Sequence, residues 1–194
     1  MSHQERFKQI IEESIATKNR ILSDTTLLAD LEKTCVELAK VLASENGKAL
    51  FCGNGGSAAD AQHLAAEFSG RFYKNRPALF AEALHVNTSY MTAVANDYSY
   101  DEVYARAVQG MGRKGDMLLA FSTSGNSPNI LKAVLKAKEV GMTVVGFTGQ
   151  AGGKMRDLCH YCFCVPSNDT PRIQESHIML GHIICETVEN LVFP

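Results

Sequence analysis

The sequence predicts an α/β fold built on one parallel sheet, and three observations carry that prediction. Five short apolar segments alternate with segments of helical periodicity over residues 48–194. Such alternation is typical of a parallel sheet that helices cover on both faces. Two helical patterns precede the first strand, and a long amphipathic pattern ends the chain. We therefore expect a three-layer unit over 48–194 with a five-stranded parallel sheet, a long C-terminal helix, and an N-terminal helical arm over 1–47 packed on it.

The composition of the 194 residues excludes several other classes of protein. Nineteen Lys and Arg face 21 Asp and Glu, for a net charge of −2, which disfavours a duplex-DNA binder that relies on charge. No apolar run approaches the ~20 residues of a membrane span, and the polar start of the chain is atypical of a signal peptide. Six cysteines without a secretory signal indicate reduced thiols in the cytoplasm.

The first elements follow from hydrophobic periodicity. Apolar residues recur at helical spacing over 3–23 and again over 27–42. The second pattern ends near 46–47, an Asn-Gly pair suited to a helix C-cap. The apolar run 48–52 predicts the first strand, and small and apolar residues over 57–70 predict the helix that follows it.

The middle of the chain continues the alternation. A strand-like run covers 79–84, and helical patterns cover 88–95 and 101–111. The apolar run 117–121 predicts the third strand, which a Gly-Asp turn precedes. The helix predicted over 128–140 begins with Pro, which is favoured at the first helical position, and ends before a Gly.

Four elements complete the pattern. The run 143–148 is rich in β-branched residues and predicts the fourth strand. A short helix over 154–158 leads to the fifth strand over 161–165. Residues 171–192 form a long amphipathic helix. Right-handed crossovers would then bring the loops that follow the strands to one edge of the sheet, where open α/β sheets bind ligands.

A first glycine cluster, FCGNGGSAAD over 51–60, lies where a strand gives way to a helix. We expect Ser57 to be the N-cap, with Asp60 completing a capping box. Glycines allow close backbone approach, and a helix N-terminus offers free N–H groups to an anion. A capped tight turn without a ligand is the alternative.

Gly53-x-Gly55-x-x-Ala58 also fits a loose dinucleotide-binding fingerprint, with Glu82 as its acidic residue. The helix that follows argues against a dinucleotide site, because it carries His63 and Glu67.

That helix carries His63 and Glu67, which are four residues apart and therefore share a face. Such a pair can bind a divalent metal, or present a base beside a proton donor. An exposed polar pair without a function is the alternative.

A second cluster, LLAFSTSGNSPN over 118–129, repeats the order of strand, small polar loop and helix. Ser127 fits the N-cap position of the following helix. The loop supplies four hydroxyl groups, on Ser122, Thr123, Ser124 and Ser127. Hydroxyls and backbone N–H groups can hold a phosphate without a basic residue, and no Walker motif is present. An ST-rich turn is the alternative.

The C-terminal helix carries Gln174 and His182, eight residues apart, with Gly181 allowing close approach of another backbone. Eight residues span ~12 Å of a straight helix. If both side chains serve one site, either Gln174 lies in an irregular first turn or the two belong to different subunits. The second possibility predicts an oligomer with shared sites.

Cys159, Cys162 and Cys164 resemble a metal or redox motif. Strand periodicity places Cys162 and Cys164 on one face, and no second CxxC pair completes a four-thiolate zinc site. Because free cysteine is among the most buried residue types, we favour a core role.

Together these motifs resemble the sugar isomerase (SIS) domain family, and more narrowly the phosphoheptose isomerases within it. The matching segments run from about residue 5 to the end: GNGGSAADAQHLAAEF, AND at 95–97, GDMLLAFSTSGNSPN, TGQAGGKM and RIQESHIMLGH. The resemblance implies a three-layer SIS-type fold and the conversion of D-sedoheptulose 7-phosphate to D-glycero-D-manno-heptose 7-phosphate through an enediol. That step would supply heptose for lipopolysaccharide or capsule. It also implies a cytoplasmic homotetramer with sites between subunits, acting without nucleic acid or membrane.

The resemblance also assigns roles to residues. It implies Glu67 and His182 as the catalytic pair, and one Zn²⁺ per site. The implied metal ligands are His63, Glu67, Gln174 and His182. The implied substrate-binding residues are Asn54, Gly55, Gly56, Ser57, Glu67, Asn96, Asp97, Ser122, Thr123, Ser124, Ser127 and Gln174.

Three other functions compete with the isomerase. A related group of SIS proteins binds the bacterial replication initiator, but its members lack the acidic residue at position 67 and the His at position 182. A sugar-phosphate sensor would need the hydroxyl-rich loop without Glu67 and His182. A dinucleotide oxidoreductase is the least supported of the three.

Overall fold

The computed structural model describes residues 1–194 and contains eight α-helices, five strands and one short 3₁₀ helix at Tyr100–Glu102. The helices are α1 His3–Ser23, α2 Thr25–Ala43, α3 Gly56–Ser69, α4 Thr88–Asp97, α5 Val103–Met111, α6 Pro128–Val140, α7 Met155–Leu158 and α8 Thr170–Val192. The strands are β1 Ala49–Cys52, β2 Ala81–Ala83, β3 Met117–Phe121, β4 Thr143–Thr148 and β5 Tyr161–Cys164. The order of elements confirms the α/β prediction.

The five strands form one parallel sheet in the order β2-β1-β3-β4-β5. Leu50 of β1 is in register with Leu118 of β3, so the two strands are direct neighbours at the centre. The strand order reverses between them, since β2 lies beyond β1 and β4 beyond β3. Ligands of open α/β sheets bind in the crevice outside the carboxyl ends of the strands at such a reversal. Both glycine clusters begin there.

Two apolar cores, one on each face of the sheet, give the predicted three layers. On one face, residues of α2, α3 and α8 pack with inward-facing residues such as Phe51 and Phe121. On the other face, α4, α5 and α6 pack against residues such as Leu50 and Leu118. Alternate residues of one strand therefore face different cores, which is why the strands read as continuous apolar runs.

The two N-terminal helices pack to different extents. Seven residues of α2 are buried, whereas only Thr17 and Ile21 of α1 are. Three apolar residues along one stripe of α1 are more than half exposed: Phe7, Ile11 and Ile15. The arm is held to α8 by polar contacts, including Arg172 Nη1 donating to Ile10 O at 2.8 Å. The division of the chain at residue 47 stays a prediction.

Several predicted boundaries were wrong. Helix α2 ends at Ala43, before the Asn-Gly pair that we expected to close it. The strand predicted over 79–84 is only three residues long, and the helix over 101–111 is split by the 3₁₀ turn. None of the helices combines the length and the apolar character that crossing a membrane requires.

The start of α3 also differs from the prediction. The helix begins at Gly56, and its N-cap is Gly55, whose φ of 56° is a conformation that glycine adopts at little cost. Ser57 is buried one residue inside the helix, and no side chain caps it. The capping box of Ser57 and Asp60 is therefore wrong, because the glycine turn places Ser57 past the cap position.

Candidate functional site

The two glycine-containing loops are joined across the strand reversal by a pair of asparagines. Asn54 Nδ2 donates to Asn129 Oδ1 at 2.9 Å, and Asn129 Nδ2 donates to Asn54 Oδ1 at 2.8 Å. Tyr100 adds a third contact by donating its hydroxyl to Asn54 Oδ1 at 3.2 Å. Asn54 was predicted as a sugar contact, and its side-chain amide is engaged in this pair. Asn129 was not singled out in the sequence, because its partner is 75 residues away.

The hydroxyl-rich loop after β3 gathers three of its four hydroxyls. Ser122 Oγ lies 3.0 Å from Ser127 Oγ and 3.4 Å from Ser124 Oγ. Ser127 is the N-cap residue of α6, as predicted, but its side chain makes no capping bond. Its hydroxyl points into the loop, so it can serve a ligand at the helix N-terminus.

A second loop, residues 149–155, packs against the hydroxyl-rich loop. Gly125 has φ of 64°, and a Cβ atom built on it would lie 2.0 Å from Gly152 O, so only glycine fits. The amide of Met155 donates to Gly125 O at 3.1 Å, and the amide of Lys154 donates to Asn126 Oδ1 at 3.0 Å. Residues 149–155 therefore fix the shape of the hydroxyl loop.

A second polar cluster lies further along α3, where that helix packs on α8. His63 Nε2 is 3.2 Å from Glu67 Oε1 and 3.0 Å from His182 Nε2. The ligand atoms of the three residues lie within 4.8 Å of one another. Helices α3 and α8 bring them together because Leu64 packs where Gly181 has no side chain. Gly181 thus leaves room for a side chain of α3, whereas we had expected it to allow the close approach of another backbone.

The three side chains suit a divalent metal ion. Two imidazole nitrogens and one carboxylate oxygen form the donor set of many zinc sites with an open fourth position. Three unshared electron pairs facing one point are unfavourable without a proton or a cation between them. The ring of Phe72, 5.8 Å from that of His182, flanks the cluster.

Gln174 lies away from this cluster in the same chain. Helix α8 is continuous from Thr170, so the irregular first turn that we considered is not seen. The Gln174 amide lies against Gly56, since a Cβ atom there would be 2.6 Å from Gln174 Nε2. In one chain, Gln174 therefore faces the start of α3, two turns before His63.

The remaining predicted residues differ in their surroundings. Asn96 and Asp97 are exposed at the end of α4 and contact each other, with Asn96 Nδ2 donating to Asp97 Oδ1 at 3.0 Å. No side-chain hydrogen bond joins them to another predicted residue. His177 of α8 is fully buried beside Phe121 and Phe147, and burial lowers its pKa to about 4, so it is a neutral core residue.

A buried ion pair that the sequence did not reveal lies at the C-terminal end of α3, next to Glu67 of the cluster. Arg76 Nε donates to Glu189 Oε1 at 2.9 Å, and both side chains are 2% exposed. Arg76 also donates to the carbonyl oxygens of Glu67 and Phe68, each at 2.8 Å. Glu189 accepts the backbone N–H groups of residues 72–74. The pair caps the end of α3 and ties the following loop to α8.

Asp60 occupies the face of α3 between Gly56 and His63. Its Oδ2 atom is buried without a hydrogen-bond partner. Burial raises the pKa of this carboxyl to about 6, and the nearby His63 offsets the rise only in part. Because the folded protein binds the proton more tightly than the unfolded chain, ionisation of Asp60 lowers stability as the pH rises from about 4 to above 6.

We expect Asp60→Asn to remove this pH-dependent loss. In metal-free protein at neutral pH, the variant should be more stable than the parent by about 1–2 kcal/mol, a value reduced for partial solvent exposure. The difference should become small near pH 4 and vanish below about pH 3, where the parent carboxyl is protonated in both the folded and the unfolded chain. Urea unfolding across this pH range in the presence of a chelator measures it, with exposed Asp157→Asn as the control. A gain that is the same at every pH would contradict the prediction.

The chain is similar to known proteins in both sequence and fold. The SIS domain profile matches residues 15–149. A curated phosphoheptose isomerase from Aneurinibacillus thermoaerophilus is 52% identical over 186 residues, which cover 96% of this chain and 93% of that protein. The solved phosphoheptose isomerase from Neisseria gonorrhoeae is 40% identical with a TM-score of 0.90, covering 97% and 100% of the two chains. The one from Francisella tularensis is 32% identical with a TM-score of 0.91, covering 98% and 100%.

Proposed function

The chain belongs to the SIS domain family and, within it, to the phosphoheptose isomerases; from this premise we propose that it interconverts D-sedoheptulose 7-phosphate and D-glycero-D-manno-heptose 7-phosphate. The observation that carries the proposal is the convergence of His63, Glu67 and His182 within 4.8 Å. A sugar-phosphate sensor needs no such cluster.

The reaction moves a hydrogen between C1 and C2 through an enediol. We assign Glu67 as the base that removes the C1 proton of the ketose and returns it to C2. His182 gives a proton to the oxygen on C2 and takes one from the oxygen on C1. A base near the carbon and an acid near the oxygens are what this proton transfer requires. The contact of both side chains with His63 keeps them facing one point.

The phosphate group is assigned to the hydroxyl loop. Ser122, Ser124 and Ser127 have hydroxyls directed at one another, and the N-terminus of α6 lies beside them. Hydroxyls and helix N–H groups bind anions without Lys or Arg. Thr123 supplies backbone to the same loop, since its carbonyl accepts the amide of Gly149 at 2.9 Å. We assign Asn54, Gly55, Gly56, Ser57, Asn96, Asp97 and Gln174 to the sugar.

We infer that one chain alone does not bring the two halves of the proposed site together. Glu67 lies eleven residues beyond Gly56, or ~16 Å along α3. Because α3 connects two parallel strands, it runs towards their amino ends, whereas the hydroxyl loop follows the carboxyl end of β3. A seven-carbon sugar phosphate spans about 10 Å when extended, at roughly 1.2 Å per bond. We therefore propose a homotetramer whose sites lie between subunits, so that Glu67 faces the loops of a neighbouring copy. The exposed apolar stripe on α1 supports such an assembly.

We further propose that His63, Glu67 and His182 hold one Zn²⁺, with Gln174 of a neighbouring copy completing the set. Gln174 lies ~12 Å from His182 along a regular helix, which supports a ligand from a second chain. When bound, the ion polarises the substrate carbonyl and stabilises negative charge on its oxygens.

We further propose that the enzyme acts in the cytoplasm, where its six free thiols stay reduced. Its product would supply heptose for lipopolysaccharide or capsule.

The test is to incubate purified protein with sedoheptulose 7-phosphate and to follow the aldose phosphate by NMR. We expect turnover of the phosphorylated sugar, and none of sedoheptulose itself. The double variant Ser122→Ala/Ser127→Ala should raise KM about 10- to 100-fold, as expected for lost hydrogen bonds to a charged group. Ser23→Ala, an exposed serine on α1, is the control. Binding of the sugar phosphate without turnover by the parent would instead support a sensor.

A further inference from the structure

Asn129 is a buried polar residue of α6 to which the proposed reaction gives no role. It is the second residue of that helix, and only 2% of it is exposed. Its Oδ1 atom accepts the backbone N–H of Ile130 at 3.0 Å and the Nδ2 group of Asn54 at 2.9 Å. Its Nδ2 group donates to Asn54 Oδ1 at 2.8 Å. Both polar atoms of Asn129 are therefore engaged, and its amide is fixed between α6 and Asn54.

These contacts determine which way round the two amides lie. A backbone N–H can only donate, so the atom of Asn129 beside the Ile130 N–H must be its oxygen. The other polar atom of Asn129 is then a donor, and it must face the oxygen of Asn54. The start of α6 thereby fixes the orientation of an amide in a different loop, 75 residues earlier in the chain.

The side chain of Asn54 then keeps one hydrogen-bonding position for a ligand. Its oxygen also accepts the hydroxyl of Tyr100 at 3.2 Å, so both lone pairs of that oxygen are occupied. Its nitrogen carries two hydrogens, of which one is donated to Asn129. Asn54 is only partly buried, which leaves the second hydrogen for a bound molecule. In this arrangement Asn54 can donate a hydrogen bond to a ligand but cannot accept one.

We propose that Asn129 is a positioning residue, which orients Asn54 so that its free N–H group donates to an oxygen atom of the bound sugar. This role rests on the proposed function, in which Asn54 contacts the sugar and the hydroxyl loop contacts the phosphate. A bond that is equally strong before and during the reaction affects KM and leaves kcat nearly unchanged. Because Asn129 itself does not touch the sugar, its effect requires the side chain of Asn54.

The test is a double-variant cycle in the full-length protein. Asn129→Ala removes both hydrogen bonds to the Asn54 amide and leaves that amide free to turn. We expect it to raise KM for sedoheptulose 7-phosphate about 5- to 50-fold, with kcat within about threefold of the parent value. In an Asn54→Ala background, the same substitution should raise KM by less than about twofold. Asn46→Ala, which changes an exposed asparagine before β1, is the control and should alter neither constant.

Inorganic phosphate separates positioning from a general loss of structure. As a competitor it needs the hydroxyl loop and not Asn54, so its inhibition constant in Asn129→Ala should stay within about twofold of the parent value. Thermal unfolding shows which variants are folded. Asn129→Ser, whose hydroxyl can still accept the N–H of Ile130, replaces Asn129→Ala if that variant does not fold.

Tyr100 gives a second route to the same amide. Tyr100→Phe removes the other donor to Asn54 Oδ1, and we expect it to raise KM about 2- to 5-fold in the parent but not in the Asn54→Ala background. Tyr98→Phe, which changes an exposed tyrosine nearby in the sequence, is its control.

Calorimetric binding of the sugar phosphate gives the same cycle as dissociation constants, independently of turnover. A parent that binds the sugar phosphate without converting it would contradict the proposed isomerase, and the dissociation constants would still decide the role of Asn129. A parent that does neither would contradict both. The positioning role is overturned by unchanged KM and Kd in the folded Asn129 variant, by an equally large effect without Asn54, or by inorganic phosphate weakened to the same extent.

Discussion

Replacing Glu67 with Gln is expected to lower kcat by about 10²- to 10⁴-fold while leaving KM for the sugar phosphate within a few fold of the parent value. The amide keeps the shape of the carboxylate but cannot accept the C1 proton. The hydroxyl groups to which we assign the phosphate, on Ser122 and Ser127, belong to the loop after β3, and the substitution leaves them in place. Steady-state kinetics and exchange of the C1 hydrogen with deuterated solvent measure the effect, and both should be lost together.

The matched control is Glu139→Gln, which changes an exposed glutamate of α6 that pairs only with Lys136. It should leave kcat and exchange unchanged. Undiminished turnover by Glu67→Gln would remove Glu67 as the base, although the function could stand with another base.

The same variant tests whether the site is shared between chains. If Glu67 acts on a sugar held by the hydroxyl loop of a neighbour, a mixed oligomer of Glu67→Gln and Ser122→Ala/Ser127→Ala chains contains some intact sites. Co-expressed chains should therefore be more active than either variant alone when the substrate concentration is near the KM of the parent. A mixture that is no more active would contradict a site divided in this way.

Replacing Glu189 with Ala is expected to destabilise the protein by about 3–5 kcal/mol. The substitution leaves the Arg76 guanidinium buried without its partner, and it removes the acceptor of three backbone N–H groups. Although burial raises the pKa of Glu189, those N–H groups and Arg76 hold it below its usual value, so the carboxylate is charged at neutral pH. Thermal unfolding should show Tm lower by roughly 6–20 °C for a chain of this size.

Glu139→Ala serves as the control, because the ion pair of Glu139 with Lys136 is on the surface and should contribute less than about 1 kcal/mol. The double variant Arg76→Met/Glu189→Leu should be less destabilised than Glu189→Ala, since it leaves no unpaired buried charge. Equal stability of Glu189→Ala and Glu139→Ala at the same chain concentration would show that the pair adds nothing to folding.

The sequence by itself determined the order of helices and strands, the two glycine-containing loops at the carboxyl ends of β1 and β3, and the shared face of His63 and Glu67. Each of these follows from local rules: apolar periodicity, the backbone freedom of glycine, and the 3.6-residue helical repeat. Those local rules did not predict the start of α3, because Ser57 and Gly55 both suit the N-cap position. In the structure, the turn places Gly55 at that position.

Only the tertiary structure decided which distant residues meet. His182 contacts His63 because α8 packs along α3, and the same packing places Gln174 beside Gly56. The pairs Asn54–Asn129 and Arg76–Glu189 link residues 75 and 113 positions apart. No local periodicity encodes such pairs, because their geometry depends on how whole helices pack against the sheet and on where a glycine lets two elements approach.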